Sequence, residues 1–257
     1  LILPTFFSLV GLGAYSVAWN LISAGRTAPV EGEEKPAPPF LVGLAGPVLL
    51  AFVGNLGSLR MIWHGVMRLA APDGTVADSN IFQKIGWTVG GIGRLFDGLG
   101  LPYGAGNWYW DPSRVYPGSA ITEFPAFTFL YADPHAHMFA LPVTILALAW
   151  ALSIALKGWE WGLEDGRGKK IHFAVTFFLG GLAIGALKPM NTWDLPTYLA
   201  LGVVASLFAA IRGAVIKKES WLKGLAIGGL SALLLVGLAL LLYQPFTDWF
   251  GQGYDKV

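Results

Sequence analysis

Residues 224–247 read GLAIGGLSALLLVGLALLLYQPFT and contain no charged side chain. A helix of about 20 apolar residues is long enough to cross the roughly 30 Å of hydrocarbon in a bilayer. Five further charge-free stretches occur at 1–25, 39–59, 138–156, 173–187 and 195–211. The shorter ones reach spanning length when their polar flanks are included. The pattern predicts an all-α polytopic membrane protein with about six transmembrane helices.

The composition excludes several other classes of protein. Charged residues make up 13% of the chain, whereas a soluble globular domain carries about 25%. The formal net charge is +1, so the chain lacks the basic surplus of a nucleic-acid-binding protein, and no nucleic-acid partner is expected. Without cysteine, it can form no disulfide, thiolate metal site or cysteine nucleophile. These counts exclude a disordered chain and most soluble enzymes.

The limits of the apolar stretches predict where each helix begins and ends. The six helices are expected at roughly 4–24, 40–62, 138–157, 171–188, 193–216 and 221–243. The pairs Gly181/Gly185 and Gly224/Gly228 predict places where two helix backbones approach closely, because glycine has no side chain to separate them. Residues 1–257 are interpreted as one transmembrane domain. The apolar start without methionine indicates that this domain is part of a longer chain.

The region 64–137 is interrupted by charged residues and is interpreted as extracytoplasmic, either re-entrant or lying in the membrane interface. Within it, Ile81–Leu99 places apolar residues at helical spacing but also contains Lys84, Arg94 and Asp97. This pattern predicts an amphipathic helix in the interface. The alternative is an ordinary helix that caps the bundle.

Lysine and arginine predict the orientation of the chain. Residues 157–170 and 212–223 are rich in both, and loops of this kind stay on the cytoplasmic side. The region 64–137, the turn 188–194 and the tail after Tyr243 then lie outside. The expected location is the plasma (inner) membrane, with the motif-bearing loops extracytoplasmic and the lipid bilayer as a partner.

The first segment suited to chemistry is 107–117, which reads NWYWDPSRVYP. Trp108 and Trp110 could form a wall for a sugar or a lipid. Arg114 could bind a phosphate group in a bidentate manner. The alternative is an aromatic belt, because amphipathic rings collect at membrane interfaces.

The second segment combines carboxylates with imidazoles. Asp133, His135 and His137 alternate along the chain, so an extended backbone would place all three on one face, whereas a helix would not. Two imidazoles and a carboxylate are a plausible donor set for a divalent cation. Glu123 could add a ligand or act as a general base. The alternative is structural: Asp133 caps the following helix, with Pro134 at its first position.

The third segment is the turn between the fourth and fifth helices. Lys188 could contact a phosphate group. The rim of that site would be formed by Asn191, Trp193 and Asp194. The alternative is a well-capped turn, in which Asn191 or Thr192 caps the helix that starts near Asp194.

Taken together, these segments resemble the YYY membrane protein family (domain of unknown function no. 2298), an uncharacterised prokaryotic family grouped with the GT-C glycosyltransferases. The resemblance follows the order of short motifs over nearly the whole chain: Gly54-Asn55-Leu56-Gly57, Ser113-Arg114-Val115, Thr122-Glu123-Phe124-Pro125, Asp133 to His137 with Ala140-Leu141-Pro142, Asn191-Thr192-Trp193-Asp194 with Pro196-Thr197-Tyr198, and Tyr243 with Pro245-Phe246. The family's Asp-Leu-His-Pro-His run is altered here to Asp-Pro-His-Ala-His, with both histidines kept.

The resemblance implies a GT-C-like bundle and a membrane glycosyltransferase-like activity, in which a sugar passes from a polyprenyl-phosphate donor to an acceptor at the outer face. The resemblance implies a catalytic acid in an early extracytoplasmic loop, upstream of Leu1, whereas within residues 1–257 the candidate catalytic residues are Glu123 and Asp133. The implied substrate-binding residues are Arg114, Lys188, Asn191, Trp193, Asp194, Trp108 and Trp110. A divalent cation, Mg²⁺ or Mn²⁺, would be bound by Asp133, His135 and His137. The alternative is a non-catalytic structural or assembly subunit of a larger membrane complex, with other membrane subunits as partners.

Overall fold

The computed structural model describes residues 1–26, 40–114, 121–158 and 166–250, which form helices and connecting turns. The α-helices are, in chain order, α1 (Ile2–Gly25), α2 (Phe40–Gly43), α3 (Ala45–Val48), α4 (Leu56–Arg68), α5 (Ile81–Phe96), α6 (Asn107–Trp110), α7 (Pro125–Tyr131), α8 (Ala136–Lys157), α9 (Gly166–Gly185), α10 (Leu187–Met190), α11 (Leu195–Ile216), α12 (Trp221–Leu241) and α13 (Gln244–Trp249). A π-helix occupies Leu49–Val53, and 3-10 helices occupy Pro72–Gly74 and Asp111–Ser113. The end of the candidate segment 107–117 lies outside the described residues.

Five helical segments among the described residues are long and apolar enough to cross a membrane: α1, α8, α9 continued through α10, α11 and α12. A sixth candidate, Phe40–Ala51 with Leu56–Arg68, meets the same criterion only when its two parts are taken together. The prediction of an all-α polytopic membrane fold with about six transmembrane helices is confirmed. Helix limits agree within a few residues for α1, α8, α11 and α12, whereas α9 begins earlier than expected.

The helix expected over 40–62 is not continuous, which corrects that part of the prediction. The π-helix ends at Val53, and α4 begins only at Leu56. Asn55 has an extended backbone (φ −124°, ψ 105°), and its side chain accepts a hydrogen bond from the Gly57 amide at 2.7 Å. Asparagine is a strong N-cap residue because its side chain satisfies an amide of the first turn. The apolar run therefore ends one helix and starts another at this asparagine.

The chain divides into two compact units. Unit 1 comprises Leu1–Pro47 and Pro134–Val257, and unit 2 comprises Val48–Asp133. Unit 1 contains the spanning candidates α1 and α8 to α12, whereas unit 2 contains α4 to α7. Unit 2 covers most of the region predicted to be re-entrant or interfacial. Its location in the membrane stays a prediction.

The core of unit 1 forms where α8, α9, α11 and α12 meet. Its fully buried side chains include Phe177, Ile184 and Leu235. Helix α1 packs on α8, where the rings of Phe6 and Phe139 lie 4.9 Å apart, edge to face. Since lipid is as apolar as these side chains, the hydrophobic effect does not hold such helices together, and close van der Waals packing does.

The two predicted glycine pairs lie where helices of unit 1 pack backbone to backbone, which confirms that prediction. A Cβ added to Gly185 of α9 would lie 2.6 Å from the Ala239 carbonyl oxygen of α12. A Cβ added to Gly224 of α12 would lie 2.7 Å from the Cα of Ile211 in α11. Gly181 and Gly228, the other members of the two pairs, extend these contacts by one helical turn. Any larger residue would push these helices apart.

In unit 2, α4 and α5 form a packed helix pair. Gly91 of α5 lies against the Val66 backbone of α4, with no room for a Cβ. Nearby, Nε1 of Trp63 donates a hydrogen bond to Oγ1 of Thr88 at 2.9 Å. One side of α5 is therefore fixed on α4.

The exposed side of α5 is apolar. The helix lies within the predicted range Ile81–Leu99 and begins with a capping box, in which Asn80 and Gln83 exchange two hydrogen bonds of 2.9 Å. Phe82 and Val89 are 80% and 66% exposed. The predicted helix is confirmed. An exposed apolar side suits a membrane interface, and that location stays a prediction.

Candidate functional site

The segment 107–114 of unit 2 folds as α6 and a 3-10 turn that are held by buried hydrogen bonds. Nδ2 of Asn55 donates to the Pro112 carbonyl at 2.7 Å, and the Thr122 amide donates to the Ser113 carbonyl at 2.8 Å. Asn55 and Ser113 are both buried. A buried polar group left without a partner costs about 1–3 kcal/mol, so these bonds fix the path of the segment.

This framework presents Arg114 beside Trp110. The guanidinium carbon of Arg114 lies 4.2 Å from the centre of the Trp110 ring, which is cation–π geometry. Trp110 is 37% exposed. A guanidinium carries a planar set of N–H donors that matches the oxygens of a phosphate group, so Arg114 stays a candidate phosphate ligand. The structure therefore brings together two of the predicted substrate-binding residues.

Trp108 packs against a different residue of unit 2. Its ring lies edge to face on Tyr103, with centroids 5.8 Å apart. The Tyr103 hydroxyl donates to the Met61 carbonyl at 2.8 Å, and the Arg68 guanidinium lies 5.9 Å from the ring centre. Burial raises the pKa of Tyr103, with a smaller contribution from Asp111 and an opposing one from Arg68. The phenol therefore stays protonated and anchors Trp108 to α4.

The two candidate catalytic carboxylates of unit 2, those of Glu123 and Asp133, lie on either side of α7. Glu123 is exposed and accepts a hydrogen bond of 3.5 Å from Oγ1 of the buried Thr128. After α7, Ala132 adopts the left-handed conformation (φ 59°, ψ 29°), which strains an L residue. Asp133 follows directly and is exposed. The catalytic roles of Glu123 and Asp133 stay predictions.

The two candidate histidines, His135 and His137, lie in unit 1 at the start of α8. His135 is the N-cap residue, with extended backbone (φ −136°, ψ 177°), and His137 lies in the first turn. The prediction that Asp133 caps this helix, with Pro134 at its first position, is wrong. The backbone is still extended at His135, so helical hydrogen bonding starts only after it. Neither a regular strand nor a regular helix therefore describes the spacing of these residues.

The two imidazole rings lie next to each other, with centroids 5.5 Å apart. A metal-bound imidazole nitrogen lies about 2 Å from the ion, so rings that share an ion have centroids up to ~6 Å apart. The observed separation of His135 and His137 fits a shared ion. Since Mg²⁺ prefers oxygen ligands, two imidazoles favour a transition-metal ion, and of the two predicted cations they favour Mn²⁺.

The turn between α10 and α11 is closed by its own side chains. Nδ2 of Asn191 donates to Oδ2 of Asp194 at 2.9 Å, and Oγ1 of Thr192 donates to the Lys188 carbonyl at 2.8 Å. Asp194 is the N-cap residue of α11. The helix start near Asp194 is confirmed. The prediction that Asn191 or Thr192 caps the helix is wrong, because both side chains are used inside the turn.

Two hydrogen bonds attach α13 to this end of unit 1. Nζ of Lys188 donates to Oγ1 of Thr247. The Tyr243 hydroxyl donates to the Leu182 carbonyl at 2.8 Å, and burial raises the pKa of Tyr243, so the donor keeps its proton. Sequence reasoning misses Thr247, because it ends the sixth helix at 243 and treats the residues after Tyr243 as a tail. Pro245 is typical of the first turn of a helix, and α13 begins there.

Three contacts among the described residues each join two predicted site residues of the same unit. Unit 2 pairs Arg114 with Trp110. Unit 1 pairs His135 with His137 and Asn191 with Asp194. Trp193 is 87% exposed and contributes an open aromatic surface.

Comparison with known proteins adds one finding. The model of the family described as uncharacterized membrane protein (DUF2298) matches residues 1–257. This match confirms the family expected from the order of the short motifs. No curated protein and no solved structure matches the chain.

Proposed function

We propose that the chain, which belongs to the DUF2298 family of uncharacterized membrane proteins, binds a polyprenyl-phosphate-linked sugar and acts as a membrane glycosyltransferase. The observation that carries this proposal is the Arg114–Trp110 pair, with its guanidinium 4.2 Å from a partly exposed indole. Arginine binds phosphate through a planar fork of N–H donors. The indole offers an amphipathic surface on which a sugar ring can pack.

The pair is held in place before any ligand arrives. The Arg114 amide donates to the Asp111 carbonyl at 3.0 Å, and the preceding Pro112 carbonyl is held by Asn55. A binding group that is already ordered loses little conformational entropy when the ligand binds. This preorganisation supports a binding role for the segment beyond that of an aromatic belt.

Sugar transfer from such a donor is a displacement at the anomeric carbon. The acceptor hydroxyl oxygen forms a bond to that carbon while the bond to the phosphate oxygen breaks, and the phosphate leaves with the electron pair. A carboxylate takes the proton of the hydroxyl group. Glu123 and Asp133 are the proposed bases, and Arg114 stabilises the charge on the departing phosphate.

His135 and His137 are proposed to hold a divalent cation, with Mn²⁺ favoured over Mg²⁺. The bound ion would supply positive charge against phosphate oxygens. Titration of the full chain with Mn²⁺, followed by electron paramagnetic resonance, tests this. His135→Ala and His137→Ala are each expected to weaken binding at least tenfold, whereas His64→Ala is expected to leave it unchanged. Equal affinity in all three variants contradicts the metal site.

The remaining residues implied by the resemblance stay predictions. Asp133 as a third metal ligand is one of them. The others are the substrate-binding roles of Trp108, Lys188, Asn191, Trp193 and Asp194.

Binding of undecaprenyl phosphate to the detergent-solubilised full chain, measured by native mass spectrometry, tests the central step. Arg114→Gln is expected to weaken binding about tenfold or more, because a hydrogen bond to a charged group contributes about 1.5–3 kcal/mol. Arg94→Gln, which removes an exposed arginine of the same unit, is the matched control and is expected to bind normally. Undecaprenol, which lacks the phosphate, is expected not to distinguish the two variants. Equal binding of undecaprenyl phosphate by both contradicts the proposal and favours the structural-subunit alternative.

Catalysis is tested separately by transfer of a labelled sugar from the same lipid. Glu123→Gln and Asp133→Asn are expected to lower kcat, by about 100-fold for the residue that acts as the base. Both variants are expected to bind undecaprenyl phosphate normally. Full activity in both variants contradicts the proposed bases.

A further inference from the structure

A row of basic side chains follows one side of α4 in unit 2. Arg60, His64 and Arg68 are spaced four residues apart, and residues at this spacing are neighbours on the surface of a helix. Arg60 and Arg68 are exposed, and His64, which lies between them in the row, is half-buried. None of the three belongs to the residues proposed above for sugar transfer or metal binding.

Lys84 of α5 lies beside this row. The Thr88 hydroxyl donates to the Lys84 carbonyl at 2.7 Å and accepts the hydrogen bond from Trp63 of α4. The ring of Trp63 lies edge to face with the imidazole of His64, with centroids 5.9 Å apart. Lys84 is close enough to act electrostatically on His64, as both arginines of the row also do. Two helices thus build one basic cluster, which consists of Arg60, His64, Arg68 and Lys84.

The permanent cations of the basic cluster are Arg60, Arg68 and Lys84. Within the part of the chain that the structure describes, none of them forms an ion pair with a carboxylate. The Arg68 guanidinium faces the Tyr103 ring, a contact that leaves its charge in place. Asp111 acts electrostatically on Tyr103 but has no resolved effect on His64. The cluster therefore keeps a surplus of positive charge that suits an anion.

The same helix pair exposes an apolar surface next to the basic cluster. Ile85 and Val89 lie one turn apart on the exposed apolar side of α5. Ile85 directly follows Lys84, and Val89 directly follows Thr88, which is bonded to α4. A soluble anion would use the charges alone, whereas a membrane surface uses charges and apolar side chains together. Charge and apolar surface on one helix pair therefore favour a lipid over a soluble anion.

We propose that the α4–α5 pair binds the headgroups of anionic phospholipids through the basic cluster, while the apolar side of α5 contacts the acyl chains. Binding of an interfacial helix strengthens with its buried apolar area and with the attraction of basic side chains to anionic lipids. The proposal adds a lipid class to the predicted interfacial location of α5. Arg114 lies outside the cluster, so neither this proposal nor the sugar-transfer proposal depends on the other.

Native mass spectrometry of the detergent-solubilised full chain with phosphatidylglycerol tests the proposal. Arg60→Gln removes an exposed charge and is expected to weaken phosphatidylglycerol binding about fivefold, because a basic residue near an anionic surface contributes about 1 kcal/mol. Arg94→Gln is the matched control, because Arg94 is an exposed arginine of the same unit that is not among the groups acting on His64. It is expected to bind as the unmodified chain does. Equal binding by the two variants overturns the proposal.

Two further variants separate charge from side-chain shape. Arg60→Lys keeps the charge and is expected to bind phosphatidylglycerol within about twofold of the unmodified chain. Arg60→Gln combined with Lys84→Gln removes two charges and is expected to weaken binding about 25-fold, since each contributes about 1 kcal/mol. A loss in Arg60→Lys as large as that in Arg60→Gln overturns the role of charge. A double variant that binds as well as Arg60→Gln alone overturns the role of Lys84.

Other ligands and Arg114→Gln identify the anion and the site. Zwitterionic phosphatidylcholine is expected to bind equally to Arg60→Gln and to the unmodified chain, and a fivefold loss there as well overturns the preference for anionic lipid. Soluble glycerol 3-phosphate that binds as tightly as phosphatidylglycerol overturns the assignment to a membrane lipid. Arg114→Gln is expected to bind phosphatidylglycerol normally, and a loss as large as that in Arg60→Gln overturns the separation of this surface from the sugar-transfer site.

Discussion

The spanning helices of unit 1 and the α4–α5 pair of unit 2 distribute their apolar side chains differently. In α12, Leu235 is fully buried and Leu233, on the opposite side of the same helix, is 69% exposed. In α5, the apolar side with Phe82 and Val89 is exposed, whereas Thr88, on another side, accepts a hydrogen bond from Trp63 of α4. A helix that is apolar all round suits the lipid interior, and a one-sided helix suits the interface.

The interactions that stabilise each unit internally also differ. Unit 1 relies on glycines such as Gly185 and Gly224, which let helix backbones touch. Unit 2 has one such contact, between Gly91 and the Val66 backbone, and adds buried side-chain hydrogen bonds made by Asn55. Where lipid surrounds the helices, their association depends on close packing, because lipid offers no hydrophobic driving force for it. Each mechanism predicts a different sensitivity to substitution.

The largest effect is expected at the contact between α9 and α12. Gly185→Leu would force a side chain against the Ala239 carbonyl and the Tyr243 ring, and overpacking of this kind costs about 3 kcal/mol. The free energy of unfolding in detergent measures it. Gly237→Leu, where a Cβ meets open space, is the control. Similar stability of the two variants would show that backbone contact does not hold unit 1.

A smaller loss is expected in unit 2. Asn55→Ala removes the cap of α4 and leaves the buried Pro112 carbonyl without its partner, which together cost about 2 kcal/mol. Asn20→Ala, an exposed asparagine of α1, is the matched control and is expected to cost less than about 0.5 kcal/mol. Thermal unfolding of both variants compares them. Equal losses would mean that the buried hydrogen bonds do not hold unit 2.

The smallest effect is expected at the strained end of α7. Ala132→Gly removes the left-handed strain of an L residue and is expected to stabilise the chain by about 1 kcal/mol. Ala126→Gly, inside α7, is expected to lower stability by a similar amount, because glycine is a poor helix former. Opposite signs of the two changes support the strain. Destabilisation by both contradicts it.

Local patterns predict much of the fold. The charge-free stretches identify α1, α8, α11 and α12 because membrane spans need only length and apolarity, which any window of sequence shows. The glycine pairs predict the helix contacts because their spacing, too, is visible in a short window of sequence. The break at Asn55 is not visible in hydropathy, since one capping side chain inside an apolar run ends the helix.

The candidate site is less predictable because its contacts join distant parts of the chain. Asn55 reaches Pro112 across 57 residues, and Lys188 reaches Thr247 across 59. No local spacing encodes such pairs, since they depend on how helices pack. The Arg114–Trp110 pair is an exception, because one helical turn of backbone brings the two side chains together.

The depth of α5 in the bilayer tests most directly whether unit 2 lies at the level of the lipid phosphates, where Arg114 can reach them. The chain contains no cysteine, so a nitroxide can be placed on a single introduced thiol at Val89, Leu233 or Arg94. Accessibility to oxygen and to a soluble nickel complex then reports depth. We expect Val89→Cys about 5–10 Å below the headgroup boundary, between the deep Leu233→Cys and the water-exposed Arg94→Cys. A Val89 label as deep as that at Leu233, or as accessible to nickel as that at Arg94, would contradict the interfacial location.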